Sequence, residues 1–191
     1  MTVGPHPLPW PDDPRLDPQL LADGDTRNVE DRFRYWRRDA IIAELDTTRH
    51  PVHIAIENFQ HDFNIGSVVR TANAFNVAAV HIVGRRRWNR RGAMVTDRYQ
   101  HVEHHGDPTG LLDLGLPIIG IDNIEGSTAI ERKDLPRACV LLFGQEGPGL
   151  SPASLDLCHE VLHITQYGST RSINAGAAAA IAMYAWALQH A

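Results

Sequence analysis

Apolar residues fall along this chain in two rhythms. "VHIAIE" (52–57), "AVHIVG" (79–84), "PIIGID" (117–122), "ACVLLFG" (138–144) and "EVLHIT" (160–165) are short aliphatic or β-branched runs. Runs of that length without polar alternation are what strands covered on both faces require. Between them lie stretches of helical or loop character: 64–76, 107–115, 127–132, 151–157 and the alanine-rich 174–190. The alternation predicts an α/β domain with a mostly parallel sheet flanked by helices. Ligands of such a sheet gather at the carboxyl ends of its strands. Upstream the rhythm differs. Residues 1–25, rich in Pro and Asp, predict an irregular arm, and "VEDRFRYWRRDAIIAEL" (29–45) predicts one helix with Phe33, Trp36, Ala40 and Ile41 on a stripe. Its opposite face carries Arg32, Arg34 and Arg38, either solvated or a phosphate contact. The chain therefore divides into an arm and helix over 1–50, a candidate RNA contact, and a larger domain over 51–191.

Composition narrows the class. Of 191 residues, 43% are hydrophobic and 21% charged, the balance of a soluble globular protein. No apolar stretch is both long and charge-free enough to cross a membrane, and "MTVGPHPLPWPDDPRLDP" lacks the order of a secretory signal. Cys139 and Cys158 form no motif, so a cytoplasmic protein with buried thiols is expected.

The net charge of -5 excludes a globally basic nucleic-acid binder, but charge is uneven. "RRRWNRR" (85–91) sets Arg85, Arg86, Arg87, Arg90 and Arg91 around Trp88. Such a patch can hold RNA, since phosphate attraction acts over roughly 10 Å at ordinary salt. Trp88 then either stacks on a base or anchors the loop to the domain. "HVEHH" (101–105) holds three histidines and a glutamate, yet the spacing is not H-E-x-x-H and no cysteine lies nearby. No metal site is expected.

Three loops carry candidate chemistry. In "FNIGSVVRTANAF" (63–75), Ile65, Val68, Val69, Ala72 and Phe75 recur at helical spacing, while Gly66, Ser67, Asn73 and Ala74 surround Arg70. Asn64 either caps this helix or belongs to a site. Arg70 offers a planar, permanently charged fork suited to phosphate. In "LLFGQEGPGLS" (141–151), Gly144, Gly147 and Gly149 let backbone approach a ligand. Neither the Gly-Lys-Ser/Thr of a phosphate loop nor G-x-G-x-x-G is present, and Glu146 repels phosphate, so the loop suits a neutral or cationic ligand. Without that fingerprint, a dinucleotide-dependent oxidoreductase is disfavoured. In "ITQYGSTRSINAGAAAAIAMYAWALQ" (164–189), Ser172 and Asn174 precede a helix whose face of Ala175, Gly176, Ala178 and Ala179 permits close approach of another backbone, within the fold or across a dimer.

Together "NIGSVVRTA", "FGQEGPGLS" and "ITQYGSTRSIN" resemble the three motifs of the SpoU–TrmH family, RNA ribose 2'-O-methyltransferases of the SPOUT superfamily. The likeness runs from about Val52 to the C-terminus. The third motif departs from the usual pattern at Thr165-Gln166 and Ala175-Gly176, while Gly168, Ser172, Ile173 and Asn174 match. The resemblance implies a C-terminal deep trefoil knot, a homodimer, an RNA substrate (tRNA or rRNA) and S-adenosylmethionine as methyl donor. It also implies site roles. Leu142, Gly144, Ile164, Gly168 and Ile173 would bind the cofactor, Arg70 the phosphate beside the target ribose, and Asn64, Glu146, Ser172 and Asn174 the remaining polar network. A non-catalytic RNA-binding relative is the alternative; the presence of all these polar residues argues against it.

Overall fold

A computed structural model describes residues 2–60, 62 and 64–191; Met1, at the head of the expected arm, and His61 and Phe63, at the head of the Arg70 stretch, lie outside the described residues. The chain forms two compact units, Met1–Thr48 and Arg49–Ala191.

The first unit corrects two expectations. The arm is not irregular throughout: Asp17 caps a short helix, α1 (Pro18–Asp23), with its carboxylate on the N–H groups of Gln19 and Leu20. Bridges join Val3 to Asp25 and Leu16 to Trp36. The single helix over 29–45 is broken into a 3-10 turn at Asp31–Phe33 and α2 (Arg38–Asp46). The break falls at Tyr35, whose φ of 62° is left-handed and leaves the helix path. Its N–H donates to Asp25 Oδ2 at 2.9 Å, its carbonyl accepts from Asp17, and the next turn's Arg37 N–H reaches the Arg15 carbonyl. Long-range bonds thus override a good local helix pattern. Asp25 is fully buried, with the Arg27 guanidinium at 2.6 Å. Burial pushes its carboxyl up, but the Arg27 bonds and the Tyr35 N–H outweigh that and hold it at about 2.

The second unit is a seven-stranded sheet flanked by helices. In chain order it contains β1 (His53–Asn58), α3 (Ile65–Ala74), β2 (Val80–Gly84), β3 (Val102–His105), β4 (Ile118–Ile121), β5 (Thr128–Ala129), β6 (Val140–Phe143), α4 (Pro152–Leu155), β7 (Glu160–His163) and α5 (Ala175–His190). The strand order is β3-β2-β1-β6-β4-β7-β5, and every pairing is parallel. All five sequence-predicted strands are present.

The two additional strands lie at the edges. β3 is polar because it has one neighbour and is largely exposed. The stretch 127–132, expected as helix or loop, is the short β5 followed by a 3-10 turn, Ile130–Arg132. The segment Pro108–Leu114 is also 3-10.

The alternation of β-residues between faces builds two cores. Ile54, Ile56, Val80, Ile82, Leu141 and Phe143 meet α3 and α5 on one face. Ala55, Val83, Ile118, Val140 and Leu142 meet Leu111 and Leu150 on the other. Ile65, Val68 and Val69 of α3 are fully buried, and each such side chain contributes about 1.5–3 kcal/mol.

The small faces of α3 and α5 have internal partners. A Cβ at Gly176 would lie 3.5 Å from Ser67 Cβ and 3.6 Å from Asn64 Oδ1, so α5 crosses close to the start of α3. A Cβ at Gly66 would lie 2.7 Å from Ala93 N, 2.9 Å from Gly92 Cα and 3.0 Å from Asn89 O. The low surface at Gly66 therefore seats this chain's own 89–93 segment, the end of the arginine loop.

Candidate active site

Two of the three loops, those after β6 and β7, converge with the end of β4, and Asn64 of the third reaches their rim. Ile121, Asp122 and Asn123, then Phe143 to Gly147 and Gly149, then Ile164, Gln166 and Ser172 to Ala175 line one cleft with Ala178. The first bend of its floor, at Gly144, is closed to any other residue: a Cβ there would overlap the Gly149 carbonyl carbon and the Leu150 nitrogen. The Gln145–Gly149 bridge folds the loop back on itself, with N–H to O distances of 3.1 Å in both directions.

At the mouth of the cleft, three side chains form a closed set. Asn64 Nδ2 donates to Glu146 Oε2 at 2.9 Å, and Asn174 Nδ2 donates to Asn64 Oδ1 at 2.8 Å and to Glu146 Oε1 at 3.3 Å. Asn64 sits at the helix start but makes no capping bond, so the capping reading of Asn64 fails. Asn174 does both jobs: its Oδ1 accepts from the N–H groups of Gly176 and Ala177. Residues separated by 82 and 110 positions are thereby fixed against each other.

The remaining sequence-predicted residues divide. Gly144, Ile164, Ile173 and Ser172 line the cleft. Leu142 is fully buried within β6, one residue short of the lining. Gly168 is exposed, outside the lining residues, and would meet nothing with a Cβ. Arg70 stands on the exposed side of α3, outside the cleft lining, and has no ion pair or hydrogen bond with another described residue.

The arginine loop is tied down at its base. Asn58 Nδ2 donates to the carbonyls of Arg85 and Arg87 at 2.6 and 2.9 Å, and Arg85 N–H returns to Asn58 O. Trp88 is half-buried against the α3 core, which favours the anchoring reading. Arg90 lies over its ring at 5.5 Å and pairs with Asp97 at 3.4 Å, while Arg85, Arg86, Arg87 and Arg91 are exposed.

Sequence reasoning missed the supports. Glu57, only 1% exposed, accepts from Ser151 Oγ at 2.5 Å, Ser154 Oγ at 2.6 Å and Ser151 N at 3.1 Å, pinning α4 to the end of β1. Gln145 Oε1 accepts from the backbone of Phe59 and Gln60. Asp122 Oδ2 accepts from Leu150 N at 2.8 Å. The available signal was an acidic residue closing an otherwise apolar strand run, at Glu57 and again at Asp122.

As chemistry, the cleft fits a cationic ligand with an aromatic part. Among the described residues its lining contains Asp122 and Glu146 and no Lys or Arg, with Ile121, Phe143, Ile164 and Ile173 as apolar walls. Gln166 Oε1 is buried there with no hydrogen-bond partner among the described residues, an acceptor left for a donor.

The family profile described as the SpoU rRNA Methylase family matches residues 51–184. An "Uncharacterized tRNA/rRNA methyltransferase" of Mycolicibacterium vanbaalenii is 30% identical over 163 residues, covering 79% of this chain and 51% of that protein. This chain thus spans about half the length of that relative. The tRNA (guanosine(18)-2'-O)-methyltransferase of Escherichia coli K12 is 27% identical, covering 77% of this chain and 68% of that one. Among solved structures, the A. aeolicus TrmH/SpoU tRNA modifying enzyme superposes with a TM-score of 0.70 at 21% identity, covering 80% and 82% of the two chains, a likeness of fold. The SpoU methyltransferase AviRb from Streptomyces viridochromogenes, in complex with AdoMet, gives 0.65 at 25% identity, covering 74% and 59%.

Proposed function

The chain belongs to the SpoU rRNA Methylase family, and on that premise we propose that it transfers a methyl group from S-adenosylmethionine to a ribose 2'-hydroxyl of tRNA or rRNA. The observation that carries the reading is the Asn64–Glu146–Asn174 set at the mouth of a cleft whose described lining holds no Lys or Arg. A sulfonium cation is tolerated beside Glu146 and Asp122, where a triphosphate would be repelled. The apolar walls suit an adenine ring, and Gln166 Oε1 suits an exocyclic amine. Gly144, Ile164, Gln166 and Ile173 would hold the cofactor, with Leu142 supporting the floor from within β6. Bound there, S-adenosylmethionine supplies an electrophilic methyl group to an in-line attack.

This chain's residues bind and align the nucleophile. Arg70, charged and unpartnered among the described residues, takes the phosphate next to the target ribose and turns its 2'-hydroxyl toward the cleft. A guanidinium has five N–H donors and no acceptor site for a proton, so positioning and charge stabilisation are its role. Asn64 and Asn174 hold the Glu146 carboxylate in one orientation, and Ser172 completes the polar rim. Arg85, Arg86, Arg87 and Arg91 neutralise RNA backbone at a distance from the reacting ribose.

Three further features belong to the same proposal. The exposed apolar row Ile181, Tyr184 and Leu188 on α5 supports a homodimer. A knot at the C-terminus accords with β6 lying between β1 and β4 and with α5 returning to α3. The protein would act in the cytoplasm, where its RNA substrates are made.

The test combines calorimetry with S-adenosylhomocysteine and radiolabelled methyl transfer to bulk tRNA and rRNA. Arg70→Ala should bind the cofactor product normally and lose most transfer; near-normal turnover by that variant refutes the assignment.

A further inference from the structure

Away from the cleft, on the sheet face opposite α3 and α5, three imidazoles and a carboxylate come together from three adjacent strands. The register sets His81 of β2 beside Ala55 of β1 and beside Glu103 of β3, with His105 two residues further along β3. His81 Nδ1 lies 2.9 Å from His105 Nε2 and 3.6 Å from Glu103 Oε2. Its other ring nitrogen, Nε2, lies 2.9 Å from Nδ1 of His53 on β1. One ligand atom from each of His81, Glu103 and His105 falls within 4.8 Å of the others.

An apolar residue would satisfy position 81, which is 0% exposed, without hydrogen bonds. An imidazole there must find partners for both nitrogens, and the fold supplies two more imidazoles. None of these residues lines the cleft.

We propose that His81 Nδ1, His105 Nε2 and the Glu103 carboxylate form a binding site for a divalent transition-metal ion of the zinc class, with His53 orienting His81. Two nitrogens on one tetrahedral zinc, each at about 2.0–2.1 Å, stand roughly 3.3 Å apart. The His81–His105 pair needs only a few tenths of an ångström of opening, within reach of side-chain rotation. The carboxylate is already at ligand-to-ligand separation. A ligating histidine is held by the hydrogen bond of its other nitrogen, and the His53 contact supplies this for His81. Glu103, with 55% of its side chain exposed, leaves the remaining coordination position to water. Two imidazoles and a carboxylate suit zinc, with copper, nickel and iron as competitors, whereas calcium and magnesium prefer all-oxygen sets.

The site ties β3, which has a strand on one side only, to β2. The segment "HVEHH" did not show it because in a strand residues at i and i+2 share a face, and the third ligand comes from a strand twenty-two residues away (81 against 103).

The full, tag-free chain is stripped with chelator and titrated with zinc by calorimetry, then with cobalt(II) by visible absorption. One saturable ion per chain is expected, with a rise in Tm on zinc addition and a cobalt spectrum of low-coordinate type. His105→Gln and Glu103→Gln should each weaken binding by more than the ~10–100-fold typical of losing an outer partner, and His53→Phe by an amount in that range. Absence of saturable binding to the unmodified chain overturns the proposal regardless of how the variants fold. Affinity unchanged in both His105→Gln and Glu103→Gln overturns it equally, since the ion then sits elsewhere.

Discussion

Gly66→Ala tests whether the arginine loop is seated on α3 or merely near it. The added Cβ meets three backbone atoms, Ala93 N, Gly92 Cα and Asn89 O, at 2.7, 2.9 and 3.0 Å. Comfortable heavy-atom contact needs about 3.5–4.0 Å, so 89–93 must retreat by roughly 0.5–1 Å, and no side-chain rotation can relieve the clash. Overpacking of this kind costs about 1–3 kcal/mol. Removing a helical glycine returns up to about 1 kcal/mol. The clash wins, leaving a net loss of about 1 kcal/mol, which in a chain of this length lowers Tm by about 2–4 °C. Gly66→Val enlarges the clash and forfeits the propensity gain, so its fall in Tm should be larger. Thermal unfolding by circular dichroism reads the stability, and fluorescence anisotropy with bulk tRNA reads the displacement of Arg91. A Gly66→Ala protein that melts higher and binds RNA unchanged would refute the seating.

Charge reversal at Arg86 and Arg87 together should weaken RNA binding and flatten its dependence on salt. Each lost phosphate contact removes about 0.9 from the log–log slope, and an unchanged slope in filter-binding titrations would exclude these residues from the RNA face. Asp25 gives the first unit an acid limit. Its carboxyl is held at about 2, below the ordinary 3.8, so its stabilisation is fully present above pH 3.8 and is lost as pH falls toward 2. About 2 kcal/mol is at stake. Asp25→Asn should remove that amount at neutral pH and flatten the stability profile between pH 2 and 4 in urea titrations, while a variant with the parent profile would contradict it.

Much of this protein is decided locally and could be read from residue order. The five apolar runs are strands because a parallel sheet covered on both faces demands continuous apolar sequence. The helix of 174–190 begins where Asn174 can cap it. The three polar loops follow strands β1, β6 and β7, whose carboxyl ends define the ligand side of such a sheet. Local pattern fails where non-local partners set the conformation. Ile41 and Phe33 read as one helix stripe, but Asp25 and Arg15 capture the backbone at Tyr35 and Arg37 and break it. Asn64 reads as a cap until Glu146 and Asn174 draw its side chain away. Gly66 reads only as a small residue beside Arg70 until the 89–93 segment is seen to pack on it.

The same division holds for chemistry. Sequence alone determined which residue types were available: an arginine on a small face, a glycine-rich turn without a phosphate signature, and a histidine-rich edge. Only the tertiary structure decided which of them meet, because pairing register and loop closure act between residues tens to hundreds of positions apart. No short-range periodicity encodes the distance from Asn64 to Asn174 or from His81 to His105; those distances follow from parallel strands brought side by side.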